Sequence, residues 1–410
     1  MISFFPPFLL GFLALSFQIF LLREFSVHFY GNEITFGLLL ACWLLWGGLG
    51  SISASKFKFN PPKLAWMYYA LALFFPLSLV GLRFSRFILK LLPGEITGII
   101  PILIFSLATT FLVSTPLGML FVFNTHYQQG NLSRVYLMES IGSSAAGLIV
   151  YFVVIPFFSN WQGSALIAGL AVLAVFLTFG GKKYFMVVGF ILLFLILFAL
   201  FDFPSQKIYW KPFNLIKSKD SPYGKLQVIK TEEQISLYNN SLLVYSYPDL
   251  AVSEEAVHFA LLQQPLAESL LLVGGGAGGC LNEILKYPKV KVDYVEIDPE
   301  IIRLSLQYLP PEEQRVLKNS RVHIYYQDGR AYLNKSSKKY DLIILNLSEP
   351  ATAQLNRFYT QEFFLKVKGR LNPGGIFSFR VPSAENYISL ELQNFLTSLY
   401  YSLSTVFPEV

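Results

Sequence analysis

Leu270-Leu-Leu-Val-Gly-Gly-Gly-Ala-Gly-Gly279 decides how the second half of this chain folds. An apolar run stops at a cluster of glycines, and a helical pattern, Cys280-Leu-Asn-Glu-Ile-Leu-Lys286, follows. Val290-Lys-Val-Asp-Tyr-Val-Glu-Ile-Asp298 then reads as a second strand that ends in acids. The order is strand, glycine turn, helix, strand, acid. Gly274, Gly276 and Gly279 keep the G-x-G-x-x-G spacing, and Glu296 falls roughly 20 residues on, where a ribose-binding acid is expected. Glycines permit the tight turn and let a ligand approach the helix start. The triplet alone is a weak signal that a tight structural turn would also satisfy. In this context it predicts a nucleoside site formed by Gly274, Gly275, Gly276, Ala277, Gly278 and Glu296.

Towards the C-terminus the alternation continues. Strand patterns stand at 291–296, 321–326, 340–346 and 375–381, with helical stretches between, which predicts a parallel, doubly wound α/β sheet of the Rossmann type. Ligands of such sheets sit beyond the carboxyl ends of the strands, where strand order reverses. Those ends are Gly274–Gly279, Glu296-Ile-Asp298, Gln327-Asp328-Gly329 and Asn346-Leu-Ser-Glu349. Glu296 suits two ribose hydroxyls, Asp328 beside Gly329 suits the amine of an adenine edge, and Asn346 and Glu349 face the reactive end of the ligand. Asp298 before Pro299 also fits a helix N-cap, and Asp328-Gly329 also fits a plain turn.

Upstream, Tyr223–Lys230, Gln234–Tyr238 and Leu242–Tyr247 read as short strands with a hairpin turn at Asn239-Asn240. They predict a small antiparallel β unit, followed by a helix over Ser253–Gln264.

The first half is of another kind. Of the 410 residues, 54% are hydrophobic, and the mean hydropathy is +0.49. This excludes an ordinary soluble protein. Seven stretches approach the roughly 20 apolar residues that a membrane span needs. They lie near 3–22, 33–54, 64–82, 97–123, 135–158, 162–180 and 184–202. The expected organisation is a multi-span helical membrane domain over 1–205, a β unit and linker over 206–250, and the Rossmann-like domain over 251–410.

Arg83-Phe-Ser-Arg-Phe-Ile-Leu-Lys90 reads as an amphipathic piece on the membrane surface. Arg23-Glu24, Glu33 and Glu139 lie near span ends, where headgroup contact or a helix-packing ion pair is expected. Gly47, Gly48 and Gly50, and Gly142-Ser-Ser-Ala-Ala-Gly147, suit close helix packing. Orientation signals conflict. Lys56, Lys58, Lys63, Arg134, Lys182 and Lys183 against Arg23, Arg83, Arg86 and Lys90 favour an inside N-terminus. Seven spans would then put the α/β half outside, away from any nucleoside pool. The ligand argument outweighs this, and the expected arrangement is an inner-membrane protein with a cytoplasmic α/β half. The basic excess lies in the first half, and no basic stripe with aromatics marks the second, so nucleic acid is not an expected partner. Cys42 and Cys280 cannot form a disulfide framework, and no Cys/His cluster has metal spacing. A homo-oligomer stays open.

On Val273-Gly-Gly-Gly-Ala-Gly-Gly279, Val295-Glu-Ile-Asp298, Asp328-Gly-Arg330, Tyr340–Pro350, Phe358–Phe364 and Leu371-Asn-Pro-Gly-Gly375, taken in order, the chain resembles the spermidine synthase (polyamine aminopropyltransferase) family from about Ser221 onward. The first half, with Leu22-Arg-Glu24 and Gly31-Asn-Glu33, looks like the multi-span region fused to some members. The resemblance implies a β-rich piece before a class I methyltransferase-like Rossmann domain. It implies transfer of an aminopropyl group from decarboxylated S-adenosylmethionine to a small amine, with no metal. It assigns Glu296 to the ribose, Asp328 to the adenine, and Asn346 and Glu349 to the amine, with Glu349 as base.

Departures are concentrated at the amine. Ala277 and Asn346 stand where the family has Asp, Val252-Ser253 where it has Tyr-His, and Gly224 where it has Gln. Phe407-Pro-Glu-Val410 resembles the entry to a sixth strand that the family continues into. Two further readings therefore stand beside the first. One is a methyltransferase that takes intact S-adenosylmethionine, and the other is a non-catalytic nucleoside-binding membrane scaffold.

Overall fold

The computed structural model describes residues 4–410 except 92–94, 96, 182–183, 351 and 385–386. Lys182 and Lys183, used in the orientation argument, lie outside the described residues, as does residue 3, where the first span was expected to begin. The chain divides into two compact units, residues 1–227 with 239–242, and residues 228–238 with 243–410.

Among the described residues, the first unit holds seven helices long and apolar enough to cross a membrane: Phe5–Phe29, Glu33–Ala54, Pro61–Arg83, Ile99–Tyr127, Leu132–Phe157, Asn160–Phe179 and Phe185–Tyr209. Their starts follow from the sequence. The Asn32 side chain accepts from the Thr35 amide and that of Asn60 from the Lys63 amide. Ser159 and Gln162 form a reciprocal capping box. Small residues permit close packing: a Cβ on Gly142 would fall 2.0 Å from the Phe8 carbonyl oxygen. Phe17 and Phe75 stack with ring centroids 4.0 Å apart in the core.

Two expectations about polar residues change here. The first helix runs on to Phe29, so Glu24 is inside it and buried. The stretch from Arg83 is not a surface piece as a whole. Arg83 ends one helix, Arg86 lies in the short helix Ser85–Leu89, and both are buried, while Phe87 and Ile88 are exposed. The cause is an ion pair. Arg83 Nη2 donates to Glu24 Oε1 at 2.6 Å, and Arg83 Nη1 donates to Asp202 Oδ1 at 3.2 Å and to Ser205 Oγ at 3.0 Å. Asn160 Nδ2 and Trp161 Nε1 also donate to Glu24, at 2.9 and 3.2 Å. For Glu24 the helix-packing alternative is therefore the one that applies, whereas Arg23 donates to Asp220 Oδ1 at 3.2 Å and to Ser221 O at 2.9 Å.

Strands β1 (Asn214–Ser221), β2 (Gly224–Thr231), β3 (Gln234–Asn239) and β4 (Leu242–Tyr247) form a sheet in sequence order. Two-residue connections force neighbours to run antiparallel. β1 was missed, because Asn214-Leu-Ile-Lys-Ser-Lys-Asp-Ser221 lacks a clear apolar alternation. The β3–β4 turn falls one residue later than expected, on Asn240 and Ser241, whose φ values of 48° and 62° fit a hairpin turn. The last long helix reaches Tyr209, so the expected boundary at 205 lies inside it.

In the second unit, β5 (Ser269–Val273), β6 (Lys291–Glu296), β7 (Val322–Tyr326), β8 (Tyr340–Leu345) and β9 (Leu371–Phe379) make a sheet of order β7-β6-β5-β8-β9, with every neighbouring pair parallel. Order reverses between β5 and β8. Leu270 and Leu272 face one apolar cluster and Leu271 and Val273 the other, which is why β5 is apolar at every position. The helix before β5 spans Leu250–Gln263, three residues earlier than expected at its start, because the Asp249 side chain caps it at the Val252 amide. After the helix Leu390–Ser404, residues 405–410 form no strand.

Candidate functional site

The sheet brings the predicted strand ends together at the reversal. Register pairs Val273 with both Val295 and Leu345. The ladder continues one step beyond the strands: the Gly274 amide donates to Val295 O and the Asn346 amide to Val273 O, each at 2.9 Å. Asn346 thus stands beside the glycine loop. Its Nδ2 donates to Gly275 O at 3.0 Å and to Cys280 Sγ at 3.2 Å, and its Oδ1 accepts from Arg380 Nη2 at 3.0 Å. Gly275 has a φ of 57°, and a Cβ there would meet Asn346 Nδ2 at 2.5 Å, so only glycine fits.

Gly276 is required for another reason. A Cβ on it would fall 2.6 Å from the Tyr294 ring, which packs directly beneath the loop. The Tyr294 hydroxyl donates to Glu296 Oε2 at 2.9 Å, and the Asp298 amide donates to Glu296 Oε1 at 3.2 Å. Glu296 is 5% exposed. Burial pushes its carboxyl above the ordinary range, and the Asp298 amide and Tyr294 hydroxyl pull it partly back. Burial and the adjacent Glu296 charge push the Tyr294 phenol well up, so it serves as a neutral donor. A carboxylate offers about four lone-pair sites, so Glu296 keeps capacity for ribose hydroxyls. Sequence reasoning missed Tyr294; the available signal was its position two residues before Glu296, on the same strand face.

Ala277 is buried, and Gly278 lies against Tyr245. Asp298 is the helix cap that its neighbour Pro299 suggested, accepting from the Glu300 amide at 3.0 Å. Asp328 is also a cap, at the Ala331 amide, and its second oxygen pairs with Arg357. An adenine amine would therefore share that oxygen with a guanidinium that the sequence did not suggest. Gly329 packs on Val273. Glu349 is exposed on the segment after β8, and nothing in the described structure ties it to Asn346.

Two further polar clusters escaped sequence reasoning because their members are far apart in the chain. Asp293 is buried and accepts from Tyr332, Tyr340 and Lys338 at 2.9, 2.7 and 2.8 Å. Glu254, His258 and Glu283 converge with ligand atoms within 4.8 Å of one another. There Lys286 pairs with Glu283 and Tyr287 bonds His258, so two of the three groups already have partners.

The family model for the spermine/spermidine synthase domain matches residues 249–409. Polyamine aminopropyltransferase 1 of Bacillus cereus is 30% identical over 197 residues, covering 47% of this chain and 69% of that protein. The polyamine aminopropyltransferase of Oceanobacillus iheyensis is 27% identical over 371 residues, covering 82% of this chain and 69% of that protein. Coverage of that extent necessarily reaches into the helical half. A crystal structure of spermidine synthase in complex with the transition-state analogue AdoDATO is similar at 24% identity and a TM-score of 0.42, over 47% of this chain and 65% of that one. The motifs at the strand ends agree with the 30% identity to the Bacillus cereus protein over 69% of its length, and the chain belongs to the spermine/spermidine synthase family.

Proposed function

We propose that this chain is a membrane-embedded aminopropyltransferase that moves an aminopropyl group from decarboxylated S-adenosylmethionine to a small amine. The observation that carries the reading is the meeting of the Gly274–Gly279 loop, Glu296 and Asn346 at the reversal between β5 and β8, in a chain of this family. Glu296 holds the ribose and Asp328, with Gly329, the adenine edge. The acceptor nitrogen attacks the carbon next to the sulfonium. The carbon–sulfur bond breaks, its electron pair goes to sulfur, and a neutral thioether nucleoside leaves. The proton lost by the attacking nitrogen goes to a carboxylate, the role we give Glu349. The seven apolar helices anchor the chain in the inner membrane, with the α/β unit on the cytoplasmic side, where nucleosides are available.

The test is incubation of the detergent-solubilised full chain with decarboxylated S-adenosylmethionine and a panel of amines. The thioether nucleoside and an aminopropylated amine are expected, with loss of both in Glu349→Gln. No product with any amine refutes the reading.

A further inference from the structure

We infer that Arg380 makes the mouth of the glycine loop a carboxylate-recognising subsite, so that one of the two ligands of this site carries a carboxylate there. The inference rests on the adenosyl-site reading above and names the ligand chemistry of that same site.

Arg380 follows β9 directly. Leu345 and Phe379 are register partners, so Asn346 and Arg380 are neighbours at the carboxyl edge of the sheet. The guanidinium is anchored there. Its Nη2 donates to Asn346 Oδ1 at 3.0 Å, and its Nη1 to Val252 O at 3.3 Å. Asn346 is in turn fixed to Gly275 O at 3.0 Å, so the cation is chained to the loop through one side chain. A guanidinium has five N–H donors, and these two bonds use two of them. Among the described residues the only carboxylate within ion-pair distance is Glu255, 4.0 Å from Nη1 and with its side chain 57% exposed.

Among the described residues, the groups beside Gly275 do not offset this cation. Position 277 is a buried alanine, and position 346 is a neutral amide. Glu296 is oriented by Tyr294 and the Asp298 amide, and its remaining lone pairs are those given to the ribose. An ammonium group placed beside Gly275 would meet a like charge, whereas a carboxylate would meet a planar fork suited to bidentate pairing. Two ligands could supply the carboxylate. One is an acceptor amine with an acid at its other end, and the other is a nucleoside that has kept its amino-acid carboxylate.

Calorimetry on the solubilised full chain separates them. One arm compares S-adenosylmethionine with its decarboxylated form. The other compares 4-aminobutanoate with 1,4-diaminobutane in the presence of 5′-methylthioadenosine. The wild type should prefer the carboxylate member of one pair by about tenfold or more, the effect of one charge-assisted pair. Arg380→Gln should remove that preference, and Arg380→Lys should keep part of it. Binding of adenosyl ligands with no carboxylate preference in either arm, or with a preference that survives in Arg380→Gln, overturns the inference and leaves the adenosyl reading standing. Failure of every adenosyl ligand to bind overturns both.

Discussion

Asn346→Asp is the substitution whose outcome the site geometry fixes most sharply. The amide nitrogen of Asn346 faces Gly275 O at 3.0 Å and Cys280 Sγ at 3.2 Å, while its oxygen faces Arg380. An aspartate is almost the same shape but has no donor. The Gly275 carbonyl would lose its partner and face a second oxygen, a cost of about 1–3 kcal/mol. The gain is a stronger pairing with a part-exposed Arg380, about 0.2–1 kcal/mol. The net is a loss of about 1–2 kcal/mol, or roughly 2–8 °C in the thermal midpoint for a domain of this size. The glycine loop should loosen with it and nucleoside affinity should fall. Asn346→Ala loses the same donor without bringing a second oxygen to the carbonyl, so it should be the milder variant in its effect on the loop. Protonation would restore a donor, so the deficit of Asn346→Asp should shrink as pH falls. Thermal unfolding of both variants at pH 8 and pH 5, with and without 5′-methylthioadenosine, measures this. An Asn346→Asp protein as stable as the wild type at pH 8 would refute the reasoning, because it would mean that a side-chain oxygen already faces the loop.

Other outcomes follow from the same contacts. Tyr294→Phe keeps the ring under Gly276 and removes only the hydroxyl that donates to Glu296, so the fold should persist while nucleoside affinity drops about tenfold by calorimetry. Arg83→Met removes the guanidinium bonded to both Glu24 and Asp202, leaving Glu24 only the more distant Lys225 at 3.9 Å, and should cost about 3–5 kcal/mol, read as a lower unfolding midpoint in detergent, with Arg83→Met/Glu24→Gln recovering part of it. A wild-type midpoint in the single variant would show that the pair does not hold the helices. For Asp293, burial acts to raise its pKa, but hydrogen bonds from Lys338, Tyr340 and Tyr332 outweigh burial and hold it below the usual carboxylate range. Its contribution is therefore present above the unfolded value of about 3.9 and is lost as pH falls through the lower folded value. Asp293→Asn should flatten the acid side of the stability–pH curve, and an unchanged curve between pH 2 and pH 5 would contradict the assignment.

What was legible in the sequence was whatever depends on near neighbours. The β5–loop–helix–β6 unit, the seven apolar helices and the Asp298 cap follow from local period, glycine and proline. Two cations of the site did not follow. Arg380 reaches Asn346 only because β8 and β9 pair in register, and Arg357 reaches Asp328 across a loop. Long-range charge pairing also hid the true place of Arg83, since a basic residue among apolar ones reads as a surface anchor until its partners Glu24 and Asp202 are known. Tyr294 was missed because an aromatic in a strand pattern reads as core. It is core, and its hydroxyl also holds the ribose acid.

Whether the edge of this sheet grips the sugar of an adenosyl group through Glu296 is measured most directly by calorimetry with 5′-methylthioadenosine and its 2′-deoxy analogue. The wild type should favour the ribonucleoside. Glu296→Gln should bind it about 10- to 100-fold more weakly, as loss of charge-assisted hydrogen bonds requires, and should barely distinguish the two. Equal affinity of the wild type and Glu296→Gln for the ribonucleoside would contradict the account.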